Sequence, residues 1–161
     1  GADVPFCICG GTMLAEGVGE RLSELRAVSG MHLVLVKPYF SVSTKEAYSL
    51  VDLNVLSEKE RPDTAKLLSY IEEGNIAKTA ENMKNVFEFY IGKKYPMIEE
   101  IKKELIKQGA LGAVMTGSGS VVFGVFEDTV LAKKCYETLK KKEFKSKFRQ
   151  VYLSEFTKGG L

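Results

Sequence analysis

Residues Gly109 to Phe126 read GALGAVMTGSGSVVFGVF, two apolar strand-like runs around a glycine–serine turn. Small residues at the centre let the chain reverse tightly, and the flanking valines and phenylalanines suit a buried hairpin. Downstream, Asp128 is placed to cap a helix running through Leu139, and Arg149 to Leu153 alternates as a last strand. Upstream, Pro96 opens a helix with apolar Ile98, Ile101, Leu105 and Ile106, and Gly109 ends it. A helical middle from Asp63 to about Gly92 carries Leu67, Leu68, Ile71, Ile76, Ala80, Met83, Phe87 and Tyr90 at three-to-four spacing, which predicts core stripes. His32 to Lys37 reads as a buried strand stopped by Pro38. Ser43 is an N-cap for a short helix over Thr44 to Asp52. Gly10 to Gly19, GGTMLAEGVG, suits a strand entering a tight turn. Strand, helices, hairpin, helix and strand together predict an α+β sandwich of the split βαβ, ferredoxin-like kind in a single domain.

The composition agrees. The 161 residues are 45% hydrophobic and 27% charged, with 23 Lys+Arg against 21 Asp+Glu. A chain of this size buries roughly 70% of its unfolded surface and needs no disulfide or metal to build a core. The net charge of +2 gives no case for nucleic acid. No apolar run approaches the ~18 residues of a membrane helix, and the longest, Met31 to Val36, contains His32. No basic-then-apolar leader opens the chain and three is an odd number of cysteines, so a reducing, cytoplasmic setting is expected. A start at Gly-Ala-Asp without Met suggests a piece of something longer.

Several clusters could carry chemistry. Cys7-Ile8-Cys9 lacks the further ligands that zinc requires, so the cysteines are expected in the core. His32, inside an apolar strand, reads as a packed residue. Lys133 to Arg149 holds eight Lys or Arg against Glu137 and Glu143. Its aromatics Tyr136, Phe144 and Phe148 look like core anchors, which makes the stretch a solvated face. Thr116-Gly-Ser-Gly-Ser120 can offer backbone N–H groups to an anion, yet a plain hairpin turn uses the same residues. Asp3, two places before Pro5, is either a helix N-cap or a carboxylate that accepts a proton from a substrate hydroxyl.

GADVPFCICGGTMLAEGVGE, Gly1 to Glu20, resembles the catalytic-aspartate segment of the 4-diphosphocytidyl-2-C-methyl-D-erythritol kinases. Gly109 to Phe126 is similar to the third motif of their superfamily, the GHMP kinases. Val42-Ser-Thr-Lys-Glu-Ala-Tyr48 and Asn85-Val-Phe-Glu88 resemble further landmarks in the same order. The resemblance spans essentially the whole chain. The family's ATP loop of the type P-x-x-x-G-L-G-S-S, its N-terminal lysine and its N-terminal cytosine-holding residues have no counterpart here. The resemblance therefore implies that residues 1–161 are the C-terminal region of a GHMP kinase, beginning at the aspartate segment, without the N-terminal ATP-binding domain. Such an isolated polypeptide is expected to be inactive.

For the complete enzyme, the resemblance implies transfer of the ATP γ-phosphoryl group to the 2-hydroxyl of 4-diphosphocytidyl-2-C-methyl-D-erythritol in non-mevalonate isoprenoid biosynthesis. It places Asp3 as base, Gly17 and Val18 along the substrate pocket, and Thr44 and Tyr48 beside the cytidine. Gly117, Ser118, Gly119 and Ser120 fall near the phosphates. ATP with Mg2+ is implied, with no metal ligand assigned in this chain, and neither nucleic acid nor membrane is implied as a partner. The competing class is a non-catalytic split βαβ module that binds a small ligand or a partner.

Overall fold

The architecture was taken from a computed structural model, which describes residues 4–52 and 54–156. Strands β3 (His32–Pro38), β4 (Gly112–Met115), β5 (Val122–Phe126) and β6 (Phe148–Glu155) form one antiparallel sheet in the order β4-β5-β3-β6. The first strand of this sheet lies between two of the last, as a split βαβ fold requires. Val36 pairs with Val122 on one side and with Val151 on the other. A separate hairpin, β1 (Met13–Glu16) and β2 (Arg21–Glu24), follows a short helix α1 (Val4–Cys9).

The helices form where the sequence supplies caps and stripes. In α6 (Met97–Lys107), Ile98, Ile101 and Leu105 are buried on one face, and Gly109 at φ +99 ends the helix. Ile106 departs from expectation and is 48% exposed, because it lies off that stripe. Asp128 caps α7 (Thr129–Leu139) by accepting from the amides of Val130 and Leu131. Ala132, Cys135 and Leu139 of α7 meet Val34, Val36 and Phe126 in the main core. Full burial of one such aliphatic side chain is worth roughly 1.5–3 kcal/mol. A short helix α8 (Lys142–Lys145), not anticipated from the sequence, links α7 to β6.

The helical middle is three helices rather than one stripe. These are α3 (Thr64–Glu72), α4 (Ile76–Asn82) and α5 (Val86–Lys94), opened by the side-chain caps Asp63, Asn75 and Asn85. The breaks turn the apolar positions in different directions. Of the eight residues expected as core, only Ala80 is fully buried, and the others are half-buried. Ala80 joins Met31 and Val125 in a second cluster on the opposite face of the sheet. Gly112 makes that docking possible, since a Cβ there would lie 1.9 Å from the carbonyl oxygen of Ala80. The remaining helix, α2 (Thr44–Leu50), is capped by the Ser43 hydroxyl and leans on α5.

Candidate functional site

The β4–β5 turn is drawn tight by two backbone bonds, Thr116 N to Val121 O at 2.9 Å and Gly119 N to Thr116 O at 3.0 Å. Gly117 (φ +54) and Gly119 (φ +95) occupy left-handed backbone, where a side chain is strained. Among the described residues, the amides of Gly117, Ser118 and Ser120 have no hydrogen-bond partner. Such a turn can receive an anion on its N–H groups.

Three side chains from elsewhere hold the turn. Asn85 donates through Nδ2 to the carbonyls of Met115 (2.7 Å) and Gly117 (2.8 Å), while its Oδ1 accepts from Phe87 N and so caps α5. Glu88 accepts from Met115 N at 2.5 Å and from Lys102 Nζ at 2.9 Å. Burial works to lower the pKa of Lys102, but the hydrogen bond and charge of Glu88, with Glu99 nearby, outweigh it and raise the pKa above the usual lysine value. Lys37 donates to Phe40 O (2.5 Å), Ser120 Oγ (2.8 Å) and Ser41 Oγ (3.1 Å). Ser120, only 1% exposed, donates to the same Phe40 carbonyl at 2.7 Å.

The structure brings several of the anticipated residues together. Thr44, in the first turn of α2, places its hydroxyl 3.3 Å from that of Ser118 at the tip of the turn. Tyr48, on the same helix, is 66% exposed and meets Phe87 edge-on at 5.1 Å. Phe87, Asn85, Thr116 and Gly117 line a shallow cleft of about 520 Å³. Gly17 and Val18 lie on the β1–β2 turn, whose bonds are local: Val18 N donates to Glu20 Oε2, and Gly19 N to Glu16 O. They sit on a separate hairpin, and Val18 is exposed. Asp3 lies outside the described residues; α1 begins just after it with Pro5 in its first turn.

Other expectations sort as follows. Cys7 and Cys9 are exposed, a correction to their expected place in the core: α1 buries no residue completely, and only Cys135 is buried. Burial, with the nearby Glu104 carboxylate, pushes the Cys135 thiol up to about 12. His32 is a half-buried strand residue whose Nε2 lies 2.6 Å from Thr129 Oγ1. In the basic stretch, Phe148 is buried and stacks on Phe144, and both pack with Tyr136 against the core, so this is a solvated face over apolar anchors. Among the described residues, no group of three or more His, Cys, Asp or Glu could hold a metal, and no helix is long and apolar enough to cross a membrane.

Sequence reasoning missed Lys37 and the clamping role of Asn85. Lys37 had a signal, a lysine inside an otherwise apolar strand, but its partners Phe40 and Ser120 could not be read from spacing. Asn85 was singled out only within the Asn85 to Glu88 resemblance, and its cap on α5 lay unread inside what looked like one continuous helical stretch.

Residues 67–146 match the family GHMP kinases C terminal. The chain is 47% identical over 154 residues to 4-diphosphocytidyl-2-C-methyl-D-erythritol kinase of Clostridium novyi, covering 96% of this chain and 52% of that protein. It is 51% identical over 144 residues to the enzyme of the same name from Acetivibrio thermocellus, covering 89% and 50%. The chain thus spans about half the length of the curated relatives it matches. A crystal structure of 4-(cytidine 5'-diphospho)-2C-methyl-D-erythritol kinase superposes with a TM-score of 0.74 at 26% identity, covering 96% of this chain and 53% of that one. Homoserine kinase from Cytophaga hutchinsonii, 19% identical, shares the fold with a TM-score of 0.78 over 98% of this chain and 52% of its own.

Proposed function

Because the chain carries the GHMP kinase C-terminal domain, we propose that it is the C-terminal part of an ATP-dependent kinase acting on the 2-hydroxyl of 4-diphosphocytidyl-2-C-methyl-D-erythritol in isoprenoid biosynthesis. Residues 1–161 work in this reading with an N-terminal ATP-binding domain, in the cytoplasm. The observation that supports it is the meeting of Thr44 and Ser118 at 3.3 Å, which in this reading joins the helix assigned to the substrate with the turn assigned to the phosphates.

Phosphoryl transfer is mostly positioning and charge stabilisation. The open amides of Gly117 and Ser118 receive phosphate oxygens, while Gly119 and the buried Ser120 shape the turn around them. Tyr48 offers a ring face to the cytosine from beside Thr44, and stacking of this kind is worth ~1–3 kcal/mol. Gly17 and Val18 close the substrate pocket from the hairpin. Asp3 takes the proton of the attacking hydroxyl, a role worth typically ~10²–10⁴ in rate. ATP is used with Mg2+, but the turn presents amides and hydroxyls rather than carboxylates, and the described residues hold no acidic cluster. They do not fit the metal, and none of these steps runs through it.

The test is steady-state phosphorylation of the cytidyl substrate by the longer parent protein and by the 161-residue chain alone. The parent turns over, and the isolated chain gives no product above a no-protein control. A parent that binds the cytidyl compound without phosphorylating it would overturn the kinase reading in favour of a binding module.

A further inference from the structure

The glycine–serine turn is held at both ends and free in the middle. At its start, Asn85 fixes the carbonyls of Met115 and Gly117. At its end, Lys37 and Ser120 converge on one acceptor, the carbonyl of Phe40, and also bond each other, closing a triangle of 2.5, 2.7 and 2.8 Å. Phe40 belongs to the connection between β3 and α2, and Thr44 begins α2 four residues later. The same triangle therefore sets both the turn and the start of the helix. A lysine that binds phosphate directly presents free N–H groups, whereas the protons of Lys37 are directed to Phe40, Ser41 and Ser120.

We propose that Lys37 is a positioning residue for the turn. By pinning Ser120 to the Phe40 carbonyl it fixes the separation of Ser118 from Thr44, and with it the place where a phosphate is held between turn and helix. This rests on the reading of the turn as the phosphate-side element. The lysine acts through geometry rather than by touching the anion.

The test uses Lys37→Met and Ser120→Ala in the 161-residue chain, with amide hydrogen exchange and inorganic pyrophosphate titration both followed by NMR. Loss of the link accelerates exchange in the turn and the first turn of α2 by at least ~10-fold in both variants, while the core strands change little. Both variants also bind pyrophosphate at least ~5-fold more weakly than the parent chain, the order of a modest coupling energy. Unchanged exchange at the hydrogen-bonded amides of Thr116, Gly119 and Glu46 in Lys37→Met overturns the positioning role whether or not pyrophosphate binds. Weaker binding in Lys37→Met alone, with Ser120→Ala like the parent, overturns it in favour of a direct charge effect. If the exchange result holds but the parent chain does not bind pyrophosphate, the link stands and the phosphate reading of the turn fails. Should Lys37→Met not fold, Ser120→Ala, which keeps the lysine and its charge, decides the exchange arm by the same criterion.

Discussion

The hydroxyls of Thr44 and Ser118 stand 3.3 Å apart although 74 positions separate them in sequence. Each belongs to a rigid support: Thr44 to a helix whose cap is the neighbouring Ser43, and Ser118 to a turn clamped by Asn85 and Lys37. The candidate site is thus a seam between the β3–α2 connection and the β4–β5 hairpin, and its geometry is only as good as the packing of α2 and α5. Lys94 and Tyr95 of the α5 end reach Glu46 on α2 at 2.7 and 3.1 Å, and Phe40 stacks on Tyr95 at 4.4 Å.

Tyr48→Ala separates pocket from core. The residue is two-thirds exposed and touches Phe87 by an edge, so truncation leaves the melting temperature nearly unchanged. In the parent enzyme it raises KM for the cytidyl substrate by roughly 5- to 150-fold, the equivalent of ~1–3 kcal/mol of stacking, and spares KM for ATP. Tyr48→Phe is nearly silent. A substrate KM within twofold of the parent for the Ala variant removes Tyr48 from the site.

Asp3→Asn in the parent keeps substrate affinity within a few-fold and lowers kcat by at least ~10², because the amide preserves shape and cannot take the proton. Single-turnover kinetics reads the step directly. Loss of about 1 kcal/mol of stability in Asp3→Ala with an intact rate would make it a helix cap and nothing more.

Gly112→Ala tests the contact of α4 with the sheet. Its methyl group would sit 1.9 Å from the Ala80 carbonyl, a backbone atom that cannot turn aside. The variant loses about 3 kcal/mol or more, read as a shift of the urea midpoint. Gly92→Ala is the contrasting change: its Cβ would meet nothing closer than 3.9 Å, and the chain gains roughly 0.5–1 kcal/mol as a helical glycine is replaced. Equal midpoints for the two variants would contradict the packing described.

Cys135 makes the protein weaker in alkali. The folded state holds its thiol proton up to about 12, against an ordinary 9.0, because the sulfur is buried and Glu104 is near. Above 9 the unfolded chain sheds a proton that the folded chain retains, so this stability is complete below pH 9 and is lost as pH rises toward 12. Chemical denaturation at a series of alkaline pH values shows the decline, and it flattens in Cys135→Ala. A thiol reagent at neutral pH labels the exposed Cys7 and Cys9 rapidly and Cys135 only after unfolding.

What was legible in the sequence was mostly local. Asp128, Ser43 and the Ile98–Ile101–Leu105 stripe declare themselves within one or two turns of chain, and the hairpin around Thr116–Ser120 carries its own turn chemistry. The break at Asn85 was hidden because Met83 and Phe87 keep a four-residue step across it, while the break at Asn75 did leave a sign, the five-residue step from Ile71 to Ile76 over Gly74. Cys7 and Cys9 went wrong because composition favours burial for cysteine, while burial itself depends on what α1 packs against. The clamp at Lys37 was illegible for a further reason: its partner Ser120 lies 83 positions away, and no spacing rule reaches that far.

Strand β3 pairs with β5 and β6, and both come from the last third of the chain. During synthesis Val34 and Val36 are joined to the chain more than 80 residues before Val122, the partner of Val36, is added. At ordinary elongation rates this is a wait on the order of ten seconds. For that interval the central strand of the sheet, with Leu33 to Val36 at its middle, has neither neighbour, and the nascent chain depends on chaperones or on transient collapse with its own helices to keep it from sticking elsewhere.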